Sequence, residues 1–473
     1  MSEMTTVAVE LNDCGVVAAA AGRPPSSRSP GFALVDGHRI LVGTDALTRA
    51  RLKPRWVETR FWDRLDTEPL GRPFPRELRN ADLVHAHLTE VWSSFRSDFD
   101  PRSGTDIGDV LFVVPGFYSK RQLELLLGVG RACGMPIAGM MDSAVVASLG
   151  AADAERTLHL DMLLHRVVLT EMRQTETLAR QRVESEKSAG LSRLTDLWAK
   201  WIASRFVQQT RFDPFHHGET EQDLYDRLPS WTEEVGRDGR ALLTLEHRGK
   251  VHSIEISTLE MRNAARDSYQ AISKLVRAVA DAGSRPSLVL TRALSSLPGL
   301  QAEIEEAVGT EAVVLDPDAA VTGALKQHLV LLQSEGHEVE FVTELPIGQS
   351  PHQGVGESKP VSKSGGSVSK GQGKTPSHLL YEGVAHPIEA DPLLLGIALP
   401  TDARGVQLVG ETAGISRHHC SIRRQGDEVI VEDHSTYGSF LNGSRIEGWA
   451  PLAAGDRLRL GTPGIELHLI AVE

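Results

Sequence analysis

Residues 414–443 read GISRHHCSIRRQGDEVIVEDHSTYGSFLNG and lie near the end of a chain of 473 residues. Short runs rich in β-branched residues alternate here with turns that contain Gly, Asn and Asp, a pattern typical of β-strands. Ser, Arg and Thr are concentrated in the turns, where hydroxyl and guanidinium groups can donate hydrogen bonds to one anion. The stretch therefore predicts a β-rich domain with an anion-binding loop region.

The residues around this stretch complete a set of spaced motifs. From about residue 379 to 473 the chain has further short strand-like runs and no helical period, which predicts a β-sandwich. Ser-Arg-x-His at 416–419, Ser-Thr-x-Gly at 435–438, Asn-Gly at 442–443 and a closing Gly-Asp run at 455–461 resemble the forkhead-associated (FHA) domain. That family is a phosphothreonine-binding β-sandwich, so the resemblance implies an all-β FHA domain over residues 379–473.

The resemblance to the FHA domain also implies roles for single residues. Ser416, Arg417 and Thr436 would face the phosphate, and Tyr437 would contact the peptide beside it. A phosphothreonine carries about −1.5 to −2 charges and three acceptor oxygens, which such donors can bind. Structural roles in the domain are implied for Gly396, His419, Asn442 and Gly443.

Two positions depart from the FHA pattern. Ile397 follows Gly396 where the family has Arg, and Tyr437 stands where the family has Asn. Losing one charged hydrogen bond costs roughly 1.5–3 kcal/mol, so the domain either binds phosphothreonine weakly or binds an unphosphorylated protein surface. A different alignment would place Arg404 in the socket, and the sequence leaves this alternative open.

The block from residue 1 to about 340 alternates between strand-like and helix-like segments. Residues 109–118 form an apolar run typical of a buried strand, and helical spacing follows directly after them. Residues 156–174 predict two strands around a tight turn, and residues 257–283 predict one long amphipathic helix. This alternation predicts an α/β fold.

Five segments of this block, in order, resemble the ATPase domain of heat-shock chaperones. That family shares its fold with actin and the sugar kinases, so the resemblance implies an actin-like ATPase fold for residues 1–340, followed by the FHA sandwich. The segments span residues 7–20, 110–151, 158–172, 288–304 and 314–327.

The phosphate-binding turns of this ATPase family are rich in glycine, because only glycine lets backbone N–H groups approach the phosphates closely. In the first turn, Glu10 stands where the family has Asp, Asn12 replaces a glycine, and Asp13 places a carboxylate where phosphates would lie. In the second turn, Asp161 is followed by large side chains that include Leu163 and Leu164. The turns therefore argue against ATP turnover.

The third nucleotide segment has lost its glycines as well. Thr291 and Arg292 occupy the positions of a Gly-Gly pair in the adenosine loop. We therefore expect a pseudo-ATPase that is not an enzyme and needs no cofactor. Two alternatives remain open: a divergent site for ATP and Mg²⁺, or another anion held by His165, Arg166 and Arg292.

The composition of the chain limits the classes of partner and indicates where the chain divides into domains. The net charge of −13 argues against nucleic acid and anionic membranes as partners. No apolar run is long enough to span a membrane, and no signal-peptide pattern is present near the N-terminus, which predicts a cytoplasmic protein. Residues 341–378 include a stretch rich in Gly, Ser and Lys, which predicts a flexible linker.

These patterns together predict a non-catalytic adaptor in a bacterial-type Ser/Thr phosphorylation pathway. Its partner would be a protein that presents either a phosphothreonine or an unphosphorylated surface. An active ATP-binding chaperone-like protein and an actin-like assembling protein are the alternatives. The sequence does not fix the oligomeric state.

Overall fold

The chain divides into two compact units, Met1–Gln353 and Gly354–Glu473. In the part of the chain that the structure describes, no helix is both long and apolar enough to cross a membrane. The computed structural model describes residues 3–37, 39–97, 105–151, 154–281, 284–332, 339–347, 375–381, 384–399, 404–408, 415–426, 428–435, 438–441, 444–446, 448–454, 456–461 and 465–470.

The first unit alternates strands and helices along the chain. Its N-terminal half contains β1 (Glu3–Glu10), β2 (Val17–Ala20), β3 (Ala33–Asp36), β4 (Arg39–Val42), α1 (Gly43–Leu47), a 3-10 turn (Pro54–Trp56), β5 (Val57–Glu58), α2 (Asn80–Ser97), β6 (Thr105–Val114), α3 (Lys120–Ala132), β7 (Ile137–Asp142) and α4 (Ser143–Ser148). Its C-terminal half contains β8 (Arg156–Met162), β9 (Val167–Gln174), β10 (Thr177–Glu186), α5 (Leu191–Thr210), a 3-10 turn (Pro214–His216), α6 (Gly218–Asp238), β11 (Arg240–His247), β12 (Lys250–Ser257), α7 (Thr258–Ala264), α8 (Arg266–Ala280), β13 (Ser287–Leu290), α9 (Arg292–Ser295), α10 (Leu300–Val308), β14 (Ala312–Val314), α11 (Ala319–Leu332), β15 (Phe341–Val342) and β16 (Glu344–Pro346).

The two halves of the first unit repeat one strand arrangement. One sheet has the order β15-β7-β6-β1-β2, in which β1 is antiparallel to β2 and parallel to β6. The other has the order β14-β13-β8-β9-β10-β16, in which β8 is antiparallel to β9 and parallel to β13. In each sheet a hairpin is therefore followed by strands parallel to the first strand of that hairpin. The mixed α/β fold expected from the sequence is confirmed for this unit.

The central strands of both sheets, such as β1 and β13, are buried on both faces. Val7 and Val9 of β1 pack into a core with α2 and α3, whereas Ala8 between them faces the opposite side, because successive side chains of a strand alternate. That opposite side is a core built from α4 and α11 between the two sheets. Helices α5 to α8 and α10 cover the outer face of the second sheet. The loops at the ends of β1 and β8 are thus supported from both sides.

The helix expected over residues 257–283 is two helices. A capping box at Ser257 and Glu260 starts α7. The chain leaves helical geometry at Ala265 (φ −104°, ψ 9°), and α8 follows directly. Met261 and Tyr269 on either side of the break are both buried in the same core. Tertiary packing of these two side chains accompanies a break in the helix that residue spacing alone does not reveal.

The start of the expected linker belongs to the first unit, which corrects the boundary at residue 341. Residues Phe341–Val342 form β15, which pairs with β7, and Glu344–Pro346 form β16, which pairs with β10. Leu345 is buried in the core between the sheets. Residues 348–374 of the expected linker lie outside the described residues.

The second unit is β-rich. Its strands are β17 (His378–Tyr381), β18 (Val384–Pro387), β19 (Leu393–Gly396), β20 (Gly405–Gln407), β21 (Cys420–Gln425), β22 (Glu428–Asp433), β23 (Ser439–Leu441), β24 (Ser444–Arg445), β25 (Trp449–Leu452), β26 (Arg457–Leu460) and β27 (Ile465–Ile470). They form sheets of order β18-β17-β27-β26-β23-β24 and β20-β19-β21-β22-β25. Alternating apolar residues of both sheets, such as Leu395, Ile422 and Leu467, share one core.

Candidate functional site

The buried imidazole of His419 organises the loop that carries the Ser-Arg-x-His motif. Its Nδ1 accepts a hydrogen bond from the Ser416 N–H at 3.0 Å, and its Nε2 lies 3.2 Å from the Gly438 carbonyl oxygen. Because Nδ1 accepts a hydrogen bond, the proton of the neutral imidazole is on Nε2. This N–H then donates to the Gly438 carbonyl oxygen. Burial lowers the pKa of His419, which favours this neutral form. His419 therefore fixes the Ser416 loop against the loop that precedes β23.

The backbone of the Ser416 loop is also held from β19. The carbonyl oxygens of Ser416 and Arg417 accept hydrogen bonds from the N–H groups of Ile397 and Ala398 at 3.3 and 3.1 Å. A Cβ atom at Gly396 would collide with the Arg417 carbonyl, so only glycine fits there. The side chain of Arg417 is exposed and that of Ser416 is half-buried. Both side chains are thus carried by a backbone that is fixed from two directions.

The facing loop is a tight turn stabilised by its own side chains. The Ser435 hydroxyl accepts a hydrogen bond from the Gly438 N–H at 2.7 Å, and Gly438 has a φ of 86°, which favours glycine. Asp433 Oδ1 accepts from the Ser435 N–H and from the Ser439 hydroxyl. Four predicted site residues of this region, Thr436, Tyr437, Asn442 and Gly443, lie outside the described residues. Their immediate neighbours Ser435 and Gly438 place this turn beside His419.

The structure does not place the Arg404 side chain in the socket, which was the alternative alignment. The Arg404 guanidinium donates to the Asp391 carbonyl oxygen at 3.1 Å and pairs with Glu389 at 3.3 Å. Arg404 O accepts from Leu394 N, three residues along β19 from Ile397. Ile397 itself is half-buried and packs against the core of the second unit. The position after Gly396 therefore supplies apolar contact rather than charge.

The second unit has a family match in this region. Residues 403–461 match the sequence model of the FHA domain, a range that includes Ser416, Arg417 and His419 and begins after Gly396. The chain therefore contains an FHA domain, as the motifs predicted, and this domain indicates phosphothreonine-dependent protein–protein interaction. A search of the curated proteins found no match to this chain.

In the first unit, the structure brings the three predicted nucleotide loops together. The loop after β1, the turn after β8 and the loop after β13 surround a cavity of about 430 Å³. Glu10, Asn12, Asp161, Thr291 and Arg292 all line it. Segments that are more than 100 residues apart in sequence therefore meet at one place.

The first two loops contact each other directly instead of leaving a gap. Asn12 Nδ2 donates to Asp161 Oδ2 at 3.0 Å and to the Met162 carbonyl oxygen at 3.2 Å. Asp13 Oδ1 accepts from the Leu164 N–H at 2.8 Å, and Leu163 and Leu164 are both buried. Backbone and side-chain donors of these turns are thus satisfied within the protein.

Three acidic groups of this loop cluster are buried, and burial makes their ionised forms costly. Burial raises the pKa of Glu10 to about 7, although the Arg28 guanidinium 3.3 Å away opposes the rise. It raises the pKa of Asp13 to about 7 against the hydrogen bond from Leu164. Burial also raises the pKa of Asp161 to about 6. Among the described residues, no group of three or more His, Cys, Asp or Glu residues is arranged to hold a metal ion.

Two further contacts of the loop cluster were not anticipated from the sequence. The Arg28 guanidinium contacts Glu10, and it also pairs with Asp318 at 3.0 Å. The Arg166 guanidinium pairs with Asp63 at 2.5 Å, and both side chains are about nine-tenths buried. Arg166 is therefore committed to Asp63. No spacing signal links residues that lie 103 or 290 positions apart, so the sequence could not have identified these pairs.

Proposed function

We propose that this chain is a non-catalytic adaptor that binds a phosphothreonine-containing protein through its FHA domain. The observation that carries the proposal is the Ser416–Arg417 loop, fixed by His419 against the facing turn, inside the region that matches the FHA domain. A hydroxyl on a fixed backbone and an exposed guanidinium provide hydrogen bonds and charge for a phosphate. Apolar Ile397 beside them predicts a modest affinity.

Calorimetry on the full-length chain tests this proposal. A phosphothreonine peptide pool is titrated beside the same pool without phosphate, into the wild type and into Ser416→Ala and Arg417→Ala. We expect binding only with phosphate, weakened by about 10- to 100-fold in each variant, because each loses a charge-assisted hydrogen bond.

Arg404→Ala is the matched control for these variants. Its guanidinium contacts residues 387–391, so we expect the wild-type affinity. Equal binding of both pools, or binding that depends on Arg404 and not on Arg417, would contradict the proposed site.

We further propose that the first unit is an actin-like, heat-shock-chaperone-like ATPase fold that has lost ATP turnover. The repeated arrangement of a hairpin and parallel strands in both sheets supports this fold. The cavity at the ends of β1, β8 and β13 lies where a nucleotide would enter such a fold.

Loss of turnover is supported by what fills the phosphate region. The Asn12–Asp161 and Asp13–Leu164 hydrogen bonds occupy the space between the two turns, and Asp13 would repel a phosphate. The unit would then act as a scaffold that needs no cofactor. Titration of the chain with Mg-ATP should give no heat. Binding at micromolar affinity would favour the second candidate, a divergent ATP-binding protein that uses the 430 Å³ cavity.

A further inference from the structure

A pair of exposed imidazoles lies at the base of the loops that form the candidate phosphothreonine socket. His418 directly follows Arg417, and His434 directly precedes Ser435. The two rings have centroids 5.0 Å apart and planes inclined by 48°. No residue of the FHA motifs named above accounts for this pair.

The side chains of His418 and His434 are both exposed, whereas His419, which follows His418 in the motif, is buried. His419 points into the domain, and the adjacent His418 is exposed. The His434 N–H donates to the His419 carbonyl oxygen at 2.9 Å, which fixes His434 beside the motif loop. The His434 Nε2 lies 2.8 Å from the Ser421 hydroxyl, its only ring hydrogen bond to another described residue. The ring is thus oriented and still exposed.

The charged side chains around this pair that reach the surface are mainly hydrogen-bond donors. Arg417 is exposed on one side, and exposed Arg445 lies against Gly438 of the facing turn. The nearby carboxylates are engaged elsewhere: Asp433 accepts from Ser435 and Ser439, and Glu432 pairs with Arg423 at 2.7 Å. An acidic chain therefore presents a local group of anion-binding side chains next to the socket.

We propose that His418 and His434 extend the socket into a second anion-binding position, so that the preferred partner carries another anionic group close to the phosphothreonine. This inference rests on the proposed phosphothreonine binding of the FHA domain. Consecutive residues of an extended peptide advance by about 3.3 Å, and neighbouring Cα atoms of the chain are about 3.8 Å apart. Because His418 directly follows Arg417, an acidic side chain or second phosphate one or two residues from the phosphothreonine is the group that the imidazole pair would bind.

The second anion-binding position would also compensate for the absence of an arginine after Gly396 when the domain binds its partner. Ile397 contributes no charge, so a partner with a single phosphate would gain less from this site. Imidazole N–H groups donate to carboxylate and phosphate oxygens, and such charge-assisted hydrogen bonds are the stronger ones. The second anion would thus restore part of the affinity and add selectivity for a doubly anionic segment.

The test measures peptide affinity by fluorescence anisotropy with the full-length chain. Three labelled peptides share one sequence: phosphothreonine among alanines, the same with aspartates one and two residues away on both sides, and the same with phosphoserines at those positions. We expect the wild type to bind the second or third peptide about 5- to 10-fold more tightly than the first. The aspartate and phosphoserine arms distinguish which anion is preferred.

Variants assign that preference to the imidazoles. In His418→Ala and His434→Ala the preference should fall to less than about 2-fold, with the affinity for the plain phosphothreonine peptide retained. His418→Arg should keep the preference because it keeps an N–H donor at this position. The control His386→Ala, on β18 in the other sheet, should behave as the wild type. Both tested rings are exposed, so these variants are expected to fold, and thermal unfolding of each checks this.

The outcomes separate this inference from the proposed function. If the wild type binds all three peptides equally, or if the preference survives in both alanine variants, the second anion-binding position does not exist. If the wild type binds no phosphothreonine peptide at all, the proposed function fails and the inference fails with it.

Discussion

His419 is the single residue on which the shape of the candidate phosphate loop depends most. Its side chain is fully buried and joins Ser416 to Gly438. We expect His419→Ala to lower the free energy of unfolding of the second unit by about 2–4 kcal/mol, because it leaves two backbone groups unpaired and opens a cavity. Phosphothreonine binding should weaken in parallel.

Thermal and denaturant unfolding measure the His419→Ala effect. His418→Ala is the matched control, since the adjacent ring is exposed and should change stability by less than about 0.5 kcal/mol. Equal losses in both variants would mean that the position of the imidazole in the loop does not matter.

Asp13 makes a testable contribution to the pH dependence of stability. Burial raises its pKa from an ordinary value near 4 to about 7. A carboxyl whose pKa is raised by folding contributes stability that is fully present below about pH 4 and is lost as the pH rises through about 7. We therefore expect this contribution to the stability of the first unit to be lost between about pH 4 and pH 7.

Asp13→Asn should flatten that profile by an amount on the order of 2–4 kcal/mol, because the amide no longer ionises. Denaturant unfolding at a series of pH values gives the measurement, with the exposed Asp36→Asn as control. A slope that is identical in the wild type and Asp13→Asn would show that Asp13 ionises freely in the folded protein.

Single residues also show what the sequence could and could not predict about the site. The Ser-Arg-x-His motif identified Ser416, Arg417 and His419 because their spacing is local. Arg28 and Asp63 have no local pattern, and their roles depend on loops that come together only in the folded protein. The raised pKa of Asp13 likewise results from burial, which a sequence does not report.

At the scale of elements, the turn between β8 and β9 is joined to the segment after β5 by the Arg166–Asp63 pair. Both side chains are about nine-tenths buried, and among the residues that the structure describes only Arg60 also pairs with Asp63. Arg166→Ala should therefore destabilise the first unit by roughly 3–5 kcal/mol, because a buried carboxylate loses its main partner.

A double-mutant cycle with Asp63→Asn measures the coupling, which should be well above zero. Arg173→Ala is the control, since Arg173 and Glu155 form an exposed pair of the kind that contributes roughly 0–1 kcal/mol. A similar small loss for both arginine variants would mean that the Arg166 pair does not join the two loops.

Elements also differ in how far the sequence predicted them. The long apolar run of β6 and the capped start of α7 carry clear signals of period and capping. β15 and β16 consist of only two and three residues, too few to display a strand period, and they exist because β7 and β10 offer edges for pairing. The break between α7 and α8 likewise follows packing rather than residue type.

At the scale of the whole molecule, each unit has its own core. Three apolar clusters belong to the first unit, and the cluster around Leu395 and Ile422 belongs to the second. A domain with its own core can in principle fold alone. The boundary between the two units falls within residues 352–378. The Gly, Ser and Lys composition of this stretch predicts a linker.

Limited proteolysis tests this division of the molecule. Trypsin cleaves after Lys and Arg where no Pro follows, and Lys363, Lys370 and Lys374 all lie in the stretch 352–378 whose composition predicts a linker. We expect early cleavage at these lysines, giving fragments that begin and end there, because a linker is cut far faster than folded segments. Mass spectrometry identifies the ends, and thermal unfolding of each purified fragment should reproduce one transition of the intact chain.

The arginines of the folded units, such as Arg166 and Arg424, are the internal controls. Early cleavage at these arginines, or loss of a transition after cleavage, would mean that the units do not fold independently.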